Sequence, residues 1–217
     1  MILYIIRHAD PDYEHNTITE FGREEAHALA DWLKDVKIDK IYTSPLGRAI
    51  DTAKPTLEAK GMDYEILPWT EESMDYMLSY KATPETDCSY SCSVKEGVYD
   101  FVDFTGTERM KTVEKMMKES DEFLASHGYR RQGLLYKVEN HNDQSIAVFC
   151  HGGFGSAWIS HILGTSAGLM WPAISLGTSS VTEFHFNFSE TGWTRPQLVR
   201  LGDIYHIRRA GLRINNR

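Results

Sequence analysis

Cysteine is scarce in this sequence and its spacing is uninformative. Three thiols among 217 residues, Cys88, Cys92 and Cys150, form an odd set with no zinc-type pairing, which removes a disulfide framework or a structural zinc as the organising feature. Reduced thiols suit a cytoplasm, and that is the expected location. Long apolar runs are missing as well. No stretch approaches the roughly 20 residues that a membrane helix needs, and the first residues lack the basic segment and long apolar segment of a secretory leader. An excess of positive charge is also lacking. Against 31 acids there are 23 Lys and Arg, a formal net charge of −8, which argues against nucleic acid or an anionic membrane as the main partner. A small local basic pocket stays open. No internal repeat, low-complexity tract or long linker interrupts the chain.

The hydrophobic content of 41% and the charged content of 25% are those of an ordinary globular protein. The length suits one α/β domain, residues 1–217, with an insertion or lid over about 73–140. Residues 1–6 form a short apolar run that stops abruptly at Arg7-His8-Ala9-Asp10. A continuous apolar run of this length reads as a strand buried on both faces, as in parallel sheets, and such sheets bind ligands beyond their carboxyl ends. The pattern recurs twice. Residues 145–150 form a second such strand and run into His151-Gly152-Gly153, while residues 39–43 close a third and lead to Ser44-Pro45-Leu46-Gly47-Arg48.

Between these strands, Thr19 is placed to cap a helix over 20–35, with Phe21, Leu29, Trp32, Leu33 and Val36 on its packed side. Ser44 reads as an N-cap and Pro45 as the first helical residue, setting Arg48 near a helix N-terminus that favours anions. Further strands are expected at 62–67, 134–138, 180–188 and 198–201, and further helices at 107–127 and 155–163. The periodicity fails between 73 and 106. Of the remaining histidines, His206 reads as structural.

Two His and two Arg converging at one sheet edge admit a metal site, a structural cluster or an oxyanion pocket. Two permanently charged guanidiniums oppose a divalent cation at short range, and several Arg beside exposed His are an odd way to build a core. Arg offers a planar fork that matches phosphate, and His is a competent nucleophile near neutral pH. Phosphate chemistry, with no metal and no cofactor, is the reading these residues favour.

Arg7-His8-Ala9, Thr19-Glu20-Phe21-Gly22, the run from Thr43-Ser44-Pro45 through Arg48 to Ala53, and His151-Gly152-Gly153 together resemble the histidine phosphatase superfamily, whose fold is phosphoglycerate mutase-like. Ala9 departs from the pattern, where Gly is usual. The resemblance implies a three-layer α/β/α sandwich with a mostly parallel central sheet and an inserted lid. It implies that His8 attacks phosphorus and becomes phosphohistidine, while Arg7, Arg48 and His151 hold the phosphoryl oxygens. Gly152 and Gly153 would let the backbone approach the anion and donate N–H groups to it. A carboxylic acid after the third strand would protonate the leaving group, and Glu71 fits best, with Glu72 as its competitor. Asn16 is a candidate phosphate contact and equally a turn residue.

The function so implied is hydrolysis of a small phosphomonoester, with a phosphoglycerate mutase-type phosphotransferase or a catalytically weak phospho-ligand or protein-binding module as alternatives. Residues 61–106 carry ten acids and two bases beside many aromatics. A lid of that composition attracts neither a second phosphate nor a carboxylate, so the expected substrate is a monophosphate with a less anionic remainder.

Overall fold

The computed structural model describes residues 1–76, 92–95, 98–101, 108–165, 170–171 and 173–215, with residues 92–95, 98–101 and 108–110 described as backbone. In chain order its elements are β1 (Ile2–Arg7), β2 (Pro11–Asp12), β3 (Thr17–Ile18), α1 (Glu20–Leu33), β4 (Lys40–Thr43), α2 (Gly47–Lys60), β5 (Glu65–Ile66), β6 (Cys92–Lys95), β7 (Val98–Phe101), α3 (Glu108–Ser126), β8 (Tyr129–Gln132), β9 (Leu135–Val138), β10 (Ser145–Cys150), α4 (Gly152–Leu163), β11 (Val181–His185), β12 (Trp193–Thr194), β13 (Gln197–Asp203) and α5 (Tyr205–Arg209).

The central sheet runs β13-β11-β1-β10-β4-β5. β10 is parallel to both β1 and β4, β4 is parallel to β5, and β11 and β13 add an antiparallel edge. The sheet is mixed and, with three of its five pairings parallel, mostly parallel as expected. Alternation along β1 divides its side chains between two cores. Leu3 and Ile5 pack with Ile146, Val148, Phe123, Phe154 and Trp158 on the face covered by α3 and α4. Tyr4 and Ile6 pack with Ala147, Phe149, Leu29, Leu33 and Leu57 on the face covered by α1 and α2. This gives the three layers expected.

Several boundaries move. α4 begins at Gly152, three residues before the expected start, and the strand expected over 62–67 is reduced to Glu65–Ile66. The strand expected at 134–138 is one arm of a hairpin that pairs β8 with β9. The inserted region is narrower than 73–140, because Val113, Met116, Phe123, Leu124, Tyr129 and Tyr136 are core residues. Burial of an apolar α3 stripe against α4 makes that helix part of the body. Cys88 and the rest of the expected lid over 77–91 lie outside the described residues. Among the described residues no helix is long and apolar enough to cross a membrane.

Thr19 caps α1 as expected, accepting from the Gly22 N–H at 3.0 Å. Gly22 is tightly placed, since a Cβ there would lie 2.4 Å from the Asp10 carbonyl oxygen. That carbonyl already accepts from the Thr19 N–H at 2.9 Å and cannot retreat freely. Gly22→Ala is expected to cost about 1–3 kcal/mol of stability through overpacking, read as a lower urea midpoint. A midpoint equal to wild type would show that the loop after β1 yields.

Candidate active site

The site is assembled by strand register. Arg7 pairs with Cys150, and Phe149 pairs with Thr43, so the residues just beyond the three strands, His8, His151 and Ser44, emerge side by side. Strand β10 and the turn just before β11 hold the His8 backbone. Its N–H donates to the Cys150 carbonyl at 2.9 Å, and its carbonyl accepts from the Ser179 N–H at 3.0 Å. One hydroxyl then couples this strand end to α2. Thr52 Oγ1 accepts from the Ala9 N–H at 2.9 Å and donates to the Arg48 carbonyl at 2.7 Å.

His8 is 2% exposed. Its Nδ1 lies 2.7 Å from the Ala9 carbonyl, and a carbonyl can only accept, so Nδ1 carries the proton and Nε2 keeps its lone pair. Burial, reinforced by the Arg7 charge, pushes the His8 pKa down to about 3. The ring is therefore a neutral imidazole with one basic nitrogen, the form a nucleophile requires. The His151 ring lies 5.2 Å from it, fully buried. Burial and then the neighbouring His8 push His151 down to about 2. Ser44 Oγ stands 2.7 Å from His151 Nε2. The expected cap at Ser44 is thus corrected: α2 starts at Gly47 with Leu46 as its N-cap, and Ser44 orients His151 instead.

Arg7 Nη1 donates to the Leu176 carbonyl at 2.5 Å. Gly152 leaves room beside it, since a Cβ there would come within 3.2 Å of Arg7 Nε. Arg48 is 9% exposed, and its guanidinium carbon lies 5.4 Å from the centre of the Tyr13 ring. Asn16 does not line the cavity. Its Oδ1 accepts from Arg48 Nη1 at 3.2 Å, so it aims the guanidinium. Arg48 Nε and His151 Nδ1 are buried without a hydrogen-bond partner, which is costly unless a bound group supplies one.

The two acids separate. Glu71 is exposed and lines only a second cleft, with Pro68 and Lys115, which Glu72 also borders. Glu72 lines the cavity that holds His8 and both arginines. The backbone at Glu71 is extended, which sends consecutive side chains to opposite sides, and Glu72 receives the inward direction. Its Oε2 accepts from the Gly153 N–H at 2.9 Å and its Oε1 from the Phe154 N–H at 2.8 Å. Gly153 is therefore committed to Glu72 and does not offer its N–H to an anion. Burial raises the Glu72 pKa, against the lowering effect of these two N–H groups.

The cavity measures roughly 570 Å³ and continues past the polar groups to Trp171, Ile174 and Leu176, with Tyr13 and Met74 also lining it. Sequence reading passed over these residues, since an isolated Trp or Leu in an aperiodic loop carries no signal of its own. Among the described residues no group of three His, Cys, Asp or Glu side chains is placed to hold a metal ion. What remains is a neutral imidazole with one basic nitrogen, two guanidiniums, a second imidazole and a carboxyl group whose pKa burial raises.

These buried histidines also make stability depend on pH. His8, His151 and His206, the last pushed down to about 4 by burial, stay neutral in the folded protein below the ordinary histidine value of about 6.5. Below pH 6.5 the unfolded chain binds more protons, and stability falls as the pH drops toward the folded values, by up to about 1.4 kcal/mol per histidine per pH unit. Urea denaturation is expected to give a clearly lower midpoint at pH 5.5 than at pH 7.5. Equal midpoints would mean that the histidines protonate without unfolding.

Comparison with known proteins agrees with this geometry. The sequence model of the histidine phosphatase superfamily (branch 1) matches residues 3–85, which contain His8, Arg48 and Glu72. A curated Hydrogenobacter thermophilus protein named "Putative phosphoserine phosphatase 2" is 24% identical over 216 residues, spanning 95% of this chain and 97% of its own. Among solved structures, a histidine-to-alanine mutant of phosphoserine phosphatase from Entamoeba histolytica, in complex with phosphoserine, has a TM-score of 0.64 at 19% identity over 95% of this chain and 98% of its own. The native mycobacterial glucosyl-3-phosphoglycerate phosphatase has a TM-score of 0.60 at 19% identity over 93% and 98%. Over residues 3–85 the chain is thus similar to the histidine phosphatase superfamily, and its fold is the one these solved phosphatase structures share.

Proposed function

We propose that this protein is a metal-independent phosphomonoesterase that hydrolyses a small phosphorylated substrate through a phosphohistidine on His8. The observation that carries the reading is the tautomer of His8. Its Nδ1–H is tied to the Ala9 carbonyl at 2.7 Å, which leaves a neutral, basic Nε2 on a ring that lines the cavity together with Arg7 and Arg48. Nε2 attacks phosphorus, the ester P–O bond breaks, and Glu72 gives its proton to the departing alkoxide. The resulting carboxylate then takes a proton from water as that water attacks phosphohistidine. Inorganic phosphate leaves, and both groups return to their starting states. Arg7, Arg48 and His151 hold the phosphoryl oxygens, a role suited to phosphoryl transfer, which is mostly positioning and charge stabilisation.

The raised pKa of Glu72 keeps a larger share of it protonated for the first step. Fixed guanidinium charge supplies what a metal otherwise would, and a dication beside Arg7 and Arg48 would be repelled. Phosphatase names among the relatives support monoester hydrolysis. A buried, unpaired Cys150 thiol fits the cytoplasm, the location we favour.

His8→Ala is expected to abolish turnover and the acid-labile phosphoenzyme while preserving the fold. Rapid quenching with labelled substrate, in the presence of a chelator, reads both. Near-wild-type turnover in the mutant, label on Ser or Cys in wild type, or loss of activity to the chelator would each refute part of the mechanism.

Glu72→Gln is expected to slow alkyl phosphates by about 10²–10⁴ and nitrophenyl phosphate far less, because a good leaving group needs little protonation. Glu71→Gln should leave both within about threefold. The opposite pattern would return the acid to Glu71.

A further inference from the structure

The cavity is lined by two unlike sets of residues. One is polar and charged: Arg7, His8, Arg48 and Glu72. The other comes from the segment between α4 and β11, and in sequence residues 164–180 contain no charged side chain. Trp171, Ile174 and Leu176 line the cavity from this segment, with Ser175 and the helix residue Ser156 as neighbouring polar groups. The wall they form is tied to the charged set. The Leu176 carbonyl accepts from Arg7 Nη1 at 2.5 Å, while the Leu176 side chain is 7% exposed and belongs to the core beside Ile5 and Phe154.

Charge counting points the same way. A phosphomonoester dianion matches the two cations, Arg7 and Arg48, which are the only Lys or Arg among the described residues lining the cavity. A carboxylate on the remainder of the substrate would be pressed against Trp171, Ile174 and Leu176 with no cation to meet it there, and it would lose hydration without compensation. An aromatic or aliphatic remainder would instead bury apolar surface on that wall. Residues 61–106, which flank Glu72 in sequence, carry ten acids and two bases and add no attraction for a second anion.

We infer that the substrate of this site is a monophosphate ester of an uncharged apolar or aromatic alcohol, its organic part seated on Trp171, Ile174 and Leu176. This rests on the phosphomonoesterase reading above and narrows it. It sets this chain apart from the relatives whose names carry phosphoserine and a phosphoglycerate. Trp171 and Ile174 are specificity-determining residues in this scheme, and they touch the alcohol part of the ester and not its phosphate.

Benzyl phosphate, ethyl phosphate, phosphoserine and 3-phosphoglycerate all release alcohols of the alkyl type, so comparing them holds the leaving-group chemistry roughly constant. For the wild type, kcat/KM for benzyl phosphate is expected to exceed that for each of the other three by about tenfold or more. In Trp171→Ala the benzyl-to-ethyl ratio should fall to within about threefold, a change that a general loss of folding would not produce. Ser175 is exposed, so Ser175→Arg adds a cation to the wall with little risk to the fold, and it should shift the benzyl-to-phosphoserine ratio toward phosphoserine by about tenfold. Hydrolysis with phosphoserine or 3-phosphoglycerate preferred, or a benzyl-to-ethyl ratio near one that Trp171→Ala does not alter, overturns this inference and leaves the phosphatase reading intact. Absence of turnover and of phosphohistidine with all four esters overturns both.

Discussion

The structure depends on keeping one imidazole neutral in a place where water has little access and two positive charges stand close by. Burial and Arg7 both act against a proton on His8, and the Ala9 carbonyl decides which nitrogen carries the one proton that remains. That arrangement destabilises the fold at low pH, and it is the same arrangement that leaves a basic Nε2 on a ring lining the cavity. Parallel pairing of β1 with β10 and of β10 with β4 holds it in place. A slip of one residue in β1 would turn His8 to the other face of the sheet and exchange the two cores on either side of it.

Glu72 shows a second economy. The free N–H groups at the start of a helix form an anion site, and in α4 two of them are taken by this carboxyl group. The helix is capped and the acid is aimed in one contact. Two N–H donors favour the carboxylate while burial favours the acid, and burial prevails. Ser44 and Asn16 do comparable work for His151 and Arg48. His8, His151, Arg48 and Glu72 are thus each held by a hydrogen-bonding neighbour, which keeps the geometry before substrate arrives.

How much of this was legible from the residues alone can be traced element by element. Arg7, His8, Arg48 and His151 were visible because buried strands have an unmistakable run of apolar residues, and whatever follows such a run stands at the ligand-binding edge of an α/β sheet. The three layers and the Thr19 cap followed from the same short-range patterns. Register could not be read, because apolar strands of similar length pair equally well in several alignments, so the adjacency of Ser44 to His151 was hidden and Ser44 passed as a helix cap.

The choice between Glu71 and Glu72 was hidden for a related reason: which of two consecutive acids faces inward depends on the backbone angles of one turn and on where α4 begins. Asn16 could be placed in the loop that precedes β3 but not assigned to Arg48, since that contact spans 32 positions of sequence. The apolar wall at Trp171, Ile174 and Leu176 left no periodic trace at all. Local sequence determined the long buried strands, the Thr19-capped start of α1 and the residue types at the strand ends, because those follow from interactions a few residues apart. Tertiary packing alone decided which side chains meet across the cavity and which protonation state each one holds, because burial and long-range pairing set both.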